Sequence, residues 1–314
     1  DAIRFPGGTF DVAAPIILAG SRTYRGTGSK TVLRRTGKVG PIFDLPDGAA
    51  DITIENFAFR GGGIRLGAVT RTTIAANSFA AIFDPAAPFG AETAIFMTKP
   101  TTDVAITRNT FRDIGMRGGA KGTEAATAIL AYDPARLRIS NNTFTRVHQG
   151  LSVNFERSRR GIVIRDNVFD DVHRMAIELH VPDQDPSVDV RDVAVTGNRV
   201  VFQRRGSEHI AISVVLHHSV GARVTGNRVE TRHAGACKGM GIEVGGVATR
   251  ARKNTVVGPW CAGIGNYADR IQFAIVADNI VCRDLGKRRQ DPAIWFYNGQ
   301  HRSMREGNRE LRRC

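Results

Sequence analysis

The feature that most constrains this chain is a recurring phrase: an alternating apolar segment, then Asn, then a second apolar pair. It reads Ile52-Thr-Ile-Glu-Asn56-Phe-Ala-Phe59, then Thr73-Ile-Ala-Ala-Asn77-Ser-Phe79, then Val104-Ala-Ile-Thr-Arg-Asn109-Thr-Phe111. It returns around Asn142, Asn167, Asn198 and Asn227, and in weaker form around Asn254, Asn279 and Asn308. The Asn-to-Asn steps are 21, 32, 33, 25, 31, 29, 27, 25 and 29 residues. Self-similarity at such an interval marks a repeat architecture, in which each unit buries its apolar face only against its neighbours.

Period-2 alternation within each phrase predicts strands, and no segment carries a helical stripe. Strands repeating without helices between them cannot form βαβ units. They predict an all-β right-handed parallel β-helix of about nine to ten coils, each stacked about 4.8 Å above the last. The chain is read as one domain over residues 1–314, with residues 1–40 as a cap and first coil. Asn tolerates the left-handed backbone of a tight turn, and its amide can bond the Asn of the next coil. The Asn column is therefore read as scaffold.

The pattern resembles the pectate-lyase-like superfamily of parallel β-helix proteins, over nearly the whole chain. The opening residues add to the likeness: Ile3-Arg-Phe-Pro-Gly-Gly-Thr-Phe10, Pro15-Ile-Ile-Leu18 and Tyr24-Arg-Gly-Thr-Gly-Ser29. They look like the first coils of secreted or phage-borne members, with Phe10 where Tyr is common. The superfamily holds polysaccharide lyases, glycoside hydrolases, C5-epimerases and tailspikes. The resemblance thus implies carbohydrate chemistry without selecting a reaction.

The chain has 44 Lys and Arg against 30 Asp and Glu, a net charge of +14. A basic surface concentrates polyanions, acidic polysaccharide among them, although a solvated Arg-rich surface would carry the same charge. Aromatic residues are scarce beside the basic clusters, which argues against stacking on single-stranded nucleic acid. No apolar run reaches the ~18 residues that would cross a bilayer. The expected partner is a polysaccharide or oligosaccharide, acidic or neutral, with neither nucleic acid nor membrane. The chain opens on Asp1, so any secretion signal would have gone with a trimmed start. Cys237 and Cys261 precede the same strand in consecutive coils, and Cys282 and Cys314 follow consecutive Asn positions. Two bridges would fit a secreted or periplasmic protein, and four reduced thiols are the alternative.

Aligning the strand that follows each Asn phrase on its first buried aliphatic gives a register: Ile64, Ile95, Ile129, Leu151, Ile177, Ile212, Ile242, Ile264 and Ile294. The residue after each of these points outward, as does the residue two further on. These outward columns gather Tyr132, Asn154, Glu178, His180, Glu243, Tyr267, Trp295 and Tyr297. Rings beside carboxylates and an imidazole suit a sugar-binding groove. Loops packed over the face would suit them too.

Glu178 and Glu243 fall two coils apart in one column, which spaces their backbones roughly 9–10 Å apart. Carboxyl groups about 6.5–9.5 Å apart suit an inverting glycosidase, with one acid and one base. The register does not say which Glu plays which part. His180 completes the expected catalytic set. Tyr132, Asn154, Tyr267, Trp295, Tyr297 and Arg174 are expected to bind substrate.

The rival reading is elimination from a uronate polymer, or C5-epimerisation, with Asn154, His180 and Tyr132 on three consecutive coils. A non-catalytic glycan-binding β-helix is the third. Asp183-Gln-Asp185-Pro-Ser-Val-Asp189 could hold calcium through oxygen ligands, but it lacks the Gly and terminal Glu of an EF-hand loop. No metal or cofactor is expected. The insertions at 80–92 and 115–126 are expected to overhang the groove.

Overall fold

The computed structural model describes residues 2–117, 120–121, 126–182, 185–203, 210–231, 239–266, 273–283, 292–296 and 304–311. Among these residues the structure is strand and turn, with a 3₁₀ turn at Gly28–Lys30 and no α-helix. The chain divides into two compact units, Asp1–Val153 and Asn154–Cys314. Both are built from the same coil of three short strands, each strand pairing in parallel with its counterpart in the next coil.

In the first unit a coil runs through Thr53–Glu55, Ala58–Arg60 and Gly62–Leu66. The next runs through Thr70–Ala75, Ser78–Ile82 and Ile95–Met97. The first strands align Ile54 with Ile74, the second Phe59 with Phe79, and the third Ile64 with Ile95. Like residues therefore stack on like, and the core is a set of side-chain columns. Phe59, Phe79, Phe111 and Phe144 form one such column, with ring centroids 4.8, 5.1 and 4.6 Å apart. All four are buried. In the second unit Phe169, Val200, Val229, Val256 and Val281 hold the corresponding register.

The Asn column joins the first strand of each coil to the second. Asn77 receives the backbone N–H of Phe57 at 3.0 Å. Its own N–H donates to Asn109 Oδ1 and its Nδ2 donates to the Ile54 carbonyl, both at 2.9 Å. Asn198, Asn227, Asn254 and Asn279 repeat the scheme in the second unit. The left-handed residue of the turn is the one before the ladder Asn: Ala76, Arg108, Asp166, Gly197, Gly226, Lys253 and Asp278 all have φ between 55° and 68°. Asn56 is out of step with the rest. It takes the left-handed position itself, at φ 62°, so Phe57 occupies the ladder position in that coil. Asn56 matches the motif by composition, but its amide lies one residue too early to join the column.

The segment Ala2–Leu45 forms two further coils. Ala2–Arg4 pairs with Thr23–Arg25, Gly8–Val12 with Thr31–Arg35, and Ile16–Ile17 with Phe43–Asp44. They carry no Asn phrase and add to the coils that the phrase marks. Cys261 and Cys282 are each disulfide-bonded. Cys237 and Cys314, the partners expected from the sequence, lie outside the described residues.

Candidate active site

The third strand of each coil carries the expected columns, and the register holds at every pairing described within the second unit. Ile177, Ile212, Ile242, Ile264 and Ile294 are aligned and buried. Leu179, Val214 and Val244 repeat the inward position two residues on and are buried as well. Because successive side chains of a strand alternate, the residues between these two columns point away from the coil interior. That outward column runs Glu178, Ser213, Glu243, Gly265 and Trp295 across consecutive strands. The two glutamates flank a serine, with backbones roughly 9–10 Å apart at the usual strand spacing.

The two glutamates sit in different surroundings. Glu243 is 9% exposed and Ser213 5%. The Ser213 hydroxyl donates to Glu243 Oε2 at 2.8 Å. Gly265, next in the column, leaves room that the Met240 thioether enters, and the Trp295 ring edge lies 3.7 Å from where a Cβ would stand. Burial raises the Glu243 carboxyl above the usual glutamate range, against the lowering effect of the Ser213 hydroxyl, and the negative charge of Glu178 adds to the rise. Glu178 is half-buried, and the Arg174 guanidinium lies 3.9 Å from its carboxylate. Sequence reading assigned Arg174 to substrate; the structure places it beside Glu178.

The second outward column brings His180 opposite Val215, and Val215 opposite Gly245. Phe155 N–H donates to the His180 carbonyl at 3.1 Å, which seats Asn154 beside His180. His180 Nδ1 is buried and has no hydrogen-bond partner among the described residues. Tyr132 belongs to the first unit, where its ring centroid lies 6.2 Å from that of Phe96. Tyr267 and Tyr297 lie outside the described residues. So do Asp183 and Gln184 of the acidic turn, while Asp185 accepts the Ser187 N–H and hydroxyl and Asp189 pairs with Arg191.

Sequence reading missed Met240 and the opening at Gly265. The one signal available was the glycine itself, standing in a column otherwise occupied by side chains that carry chemistry.

A family model described as "Right handed beta helix region" matches residues 46–229, more than half of the chain and across both units. The chain belongs to the right-handed β-helix family. No curated protein sequence matches it. Among solved structures, this β-helix is similar to the A-module of the mannuronan C-5 epimerase AlgE6 from Azotobacter vinelandii. Identity is 12% over 99% of this chain and 90% of that one, with a TM-score of 0.64. It is similar to a mutant tailspike protein of the E. coli bacteriophage HK620, solved in complex with a hexasaccharide. There the identity is 11% over 98% of this chain and 58% of that one, with a TM-score of 0.64. A third likeness is to a hyperthermoactive exopolygalacturonase from Thermotoga maritima, at 10% identity over 98% of this chain and 84% of that one, with a TM-score of 0.53. At these identities the likeness is one of fold, which does not select a chemistry.

Proposed function

We propose that this right-handed β-helix is an extracellular glycan-cleaving hydrolase of the inverting kind, with Glu243 as general acid and Glu178 as general base. The observation that carries the reading is the Glu178–Ser213–Glu243 row, in which one carboxyl is buried under a hydroxyl and the other faces a guanidinium. A carboxyl whose pKa is raised by burial holds its proton more firmly than an exposed glutamate and is suited to protonate the leaving glycosidic oxygen. A carboxylate about two strands away leaves room for a water on the opposite face of the sugar. Glu178 takes a proton from that water as its oxygen bonds to the anomeric carbon. The bond to the leaving oxygen breaks as Glu243 gives that oxygen its proton, and the anomeric configuration inverts. Arg174 orients Glu178, while Trp295 and His180 border the sugar. Asn154, Tyr267 and Tyr297 remain proposed contacts to the glycan beside this pair, and Tyr132 remains a proposed glycan contact within the first unit.

The neighbours in fold include proteins named for polysaccharide chemistry, an epimerase and an exopolygalacturonase, and a tailspike solved with a hexasaccharide. The net charge of +14 favours an acidic glycan. The disulfide-bonded Cys261 and Cys282 fit an oxidising compartment, with Cys237 and Cys314 as the proposed partners.

Incubation with a panel of acidic and neutral polysaccharides tests the reading, with reducing ends and ultraviolet absorbance followed together. The expected result is a rise in reducing ends without an unsaturated chromophore, with the first-formed anomer inverted by NMR. A chromophore rising in step with the reducing ends would move the chemistry to elimination. Asn154 seated beside His180 supports that second reading, and with it C5-epimerisation, which would change the polymer's composition without cutting it. Retention of a glycan with neither change would make the protein a binding module.

A further inference from the structure

The first unit carries an aromatic cluster that the acid–base pair does not use. Phe89 is 64% exposed, the highest value among the large apolar side chains described. It stands at the tip of the segment joining Ser78–Ile82 to Ile95–Met97, and that segment is held in place. Asp84 N–H donates to the carboxylate of the buried Glu92 at 2.7 Å. Turn bonds run from Ala87 N to Asp84 O, from Ala91 N to Pro88 O and from Thr93 N to Gly90 O, at 2.9, 3.1 and 3.2 Å. Gly90 has φ +78° and lies so close to the Phe96 ring that a Cβ there would overlap it. The glycine lets the segment fold back over the sheet and set Phe89 against Phe96.

The rings make a run. Phe89 and Phe96 have centroids 6.4 Å apart at 73°, and Phe96 and Tyr132 have centroids 6.2 Å apart at 55°. Phe96 pairs across the sheet with Arg65. The Arg65 Nε donates to Asp44 Oδ1 at 2.9 Å, and a second bond to the same carboxylate completes the pair. Thr98 lies on the same face of the sheet, half-buried.

An apolar partner protein would meet charge on one flank of this run, and the apolar area is a few rings wide, too small for a stable protein interface. A pyranose matches both halves: its C–H face stacks on a ring, and its hydroxyl rim bonds a guanidinium, a carboxylate or a threonine. We propose that Phe89, Phe96, Tyr132 and the Arg65–Asp44 pair form a second glycan subsite in the first unit, separate from the Glu178–Glu243 chemistry. It takes a pyranose of the same polymer, and so rests on the glycan reading above. It holds the chain rather than cutting it.

The test uses the full chain carrying Glu243→Gln, so that bound polymer is not consumed. Affinity electrophoresis measures retention in gels that hold each polysaccharide of the panel. Adding Phe89→Ala is expected to weaken retention about 3- to 10-fold, the range of an aromatic contact, and Phe89→Trp to restore it. Phe89 is exposed at a loop tip, so the melting temperature should hold in both variants. Unchanged retention with Phe89→Ala overturns the subsite and leaves the hydrolase reading standing. Retention that falls with Phe89→Ala, in a protein that cleaves no glycan, keeps the subsite and overturns the hydrolase. Failure of the Phe89-intact protein to bind any polysaccharide overturns both.

Discussion

Glu243→Gln lowers the rate of glycan cleavage about 10²- to 10⁴-fold, the contribution typical of a positioned general acid. The amide is nearly isosteric and still accepts the Ser213 hydroxyl that now reaches Oε2 at 2.8 Å. The loss therefore reports the missing proton rather than a damaged fold, and the melting temperature is expected to hold or rise, because a neutral amide replaces a buried ionisable group. Glu178→Gln gives a comparable loss for a different reason, since no base remains to deprotonate water. Leaving-group dependence separates the two: an aryl glycoside that departs without protonation restores cleavage to the Glu243 variant and not to the Glu178 variant. The pH profile follows from the direction of the Glu243 shift, which burial raises above the usual glutamate range. The active form is protonated, so the alkaline limb falls as pH rises through that raised value. The same group links stability to pH in the same direction, with a contribution present below the unfolded pKa and lost as pH rises through the folded one. Full cleavage by Glu243→Gln, with natural and aryl substrates alike, would remove Glu243 from the chemistry.

How much of this could be read from the sequence depended on how local each signal was. Alternation along a strand is a property of a few consecutive residues, so the third-strand register from Ile177 to Ile294 was legible, with Glu178 and Glu243 in one column. Asn56 was misread because an Asn before an apolar pair satisfies the motif whether or not its amide reaches the ladder; only the backbone, at φ 62°, tells the two apart. The coils of Ala2–Leu45 stack without Asn, so the phrase could not announce them. The division of labour between the glutamates was hidden as well. It depends on what meets each carboxyl, and the groups that do so, the Ser213 hydroxyl at Glu243 and the Arg174 guanidinium near Glu178, stand outside the strands that carry the two glutamates. Nothing local to Gly90 announces its place either, since the Phe96 ring that crowds it comes from the strand that follows the loop.

Asn198→Ala should cost on the order of 3–5 kcal/mol of stability, a large effect for a residue that touches no part of the candidate site. Asn198 is buried and accepts twice through Oδ1, from Asn167 N–H at 3.1 Å and Asn167 Nδ2 at 3.0 Å. Its Nδ2 reaches the Ile164 carbonyl and Asn227 Oδ1, both at 3.0 Å. Alanine removes all of these at once and strands a buried backbone N–H on Asn167 in a turn that water cannot readily enter, with an unsatisfied group costing about 1–3 kcal/mol. Asn198→Asp tests the mechanism: it keeps both acceptor contacts but sets a carboxylate against the Ile164 carbonyl and the Asn227 amide oxygen. It should therefore be destabilising too, and more so as pH rises and the carboxylate ionises. In a repeat protein the damage stays close to its own coils, so hydrogen exchange should quicken at Asn167 and Asn227 before it quickens at distant turns. Cleavage per folded molecule is expected to stay near that of the parent protein at temperatures well below the new midpoint, because Asn198 sits between the first and second strands while the carboxylates stand on the third. Glu243→Gln and Asn198→Ala thus have opposite signatures, one losing turnover with the fold intact and the other losing fold with turnover intact. An Asn198→Ala protein that melts where the parent does would mean the ladder bonds merely replace equivalent bonds to water.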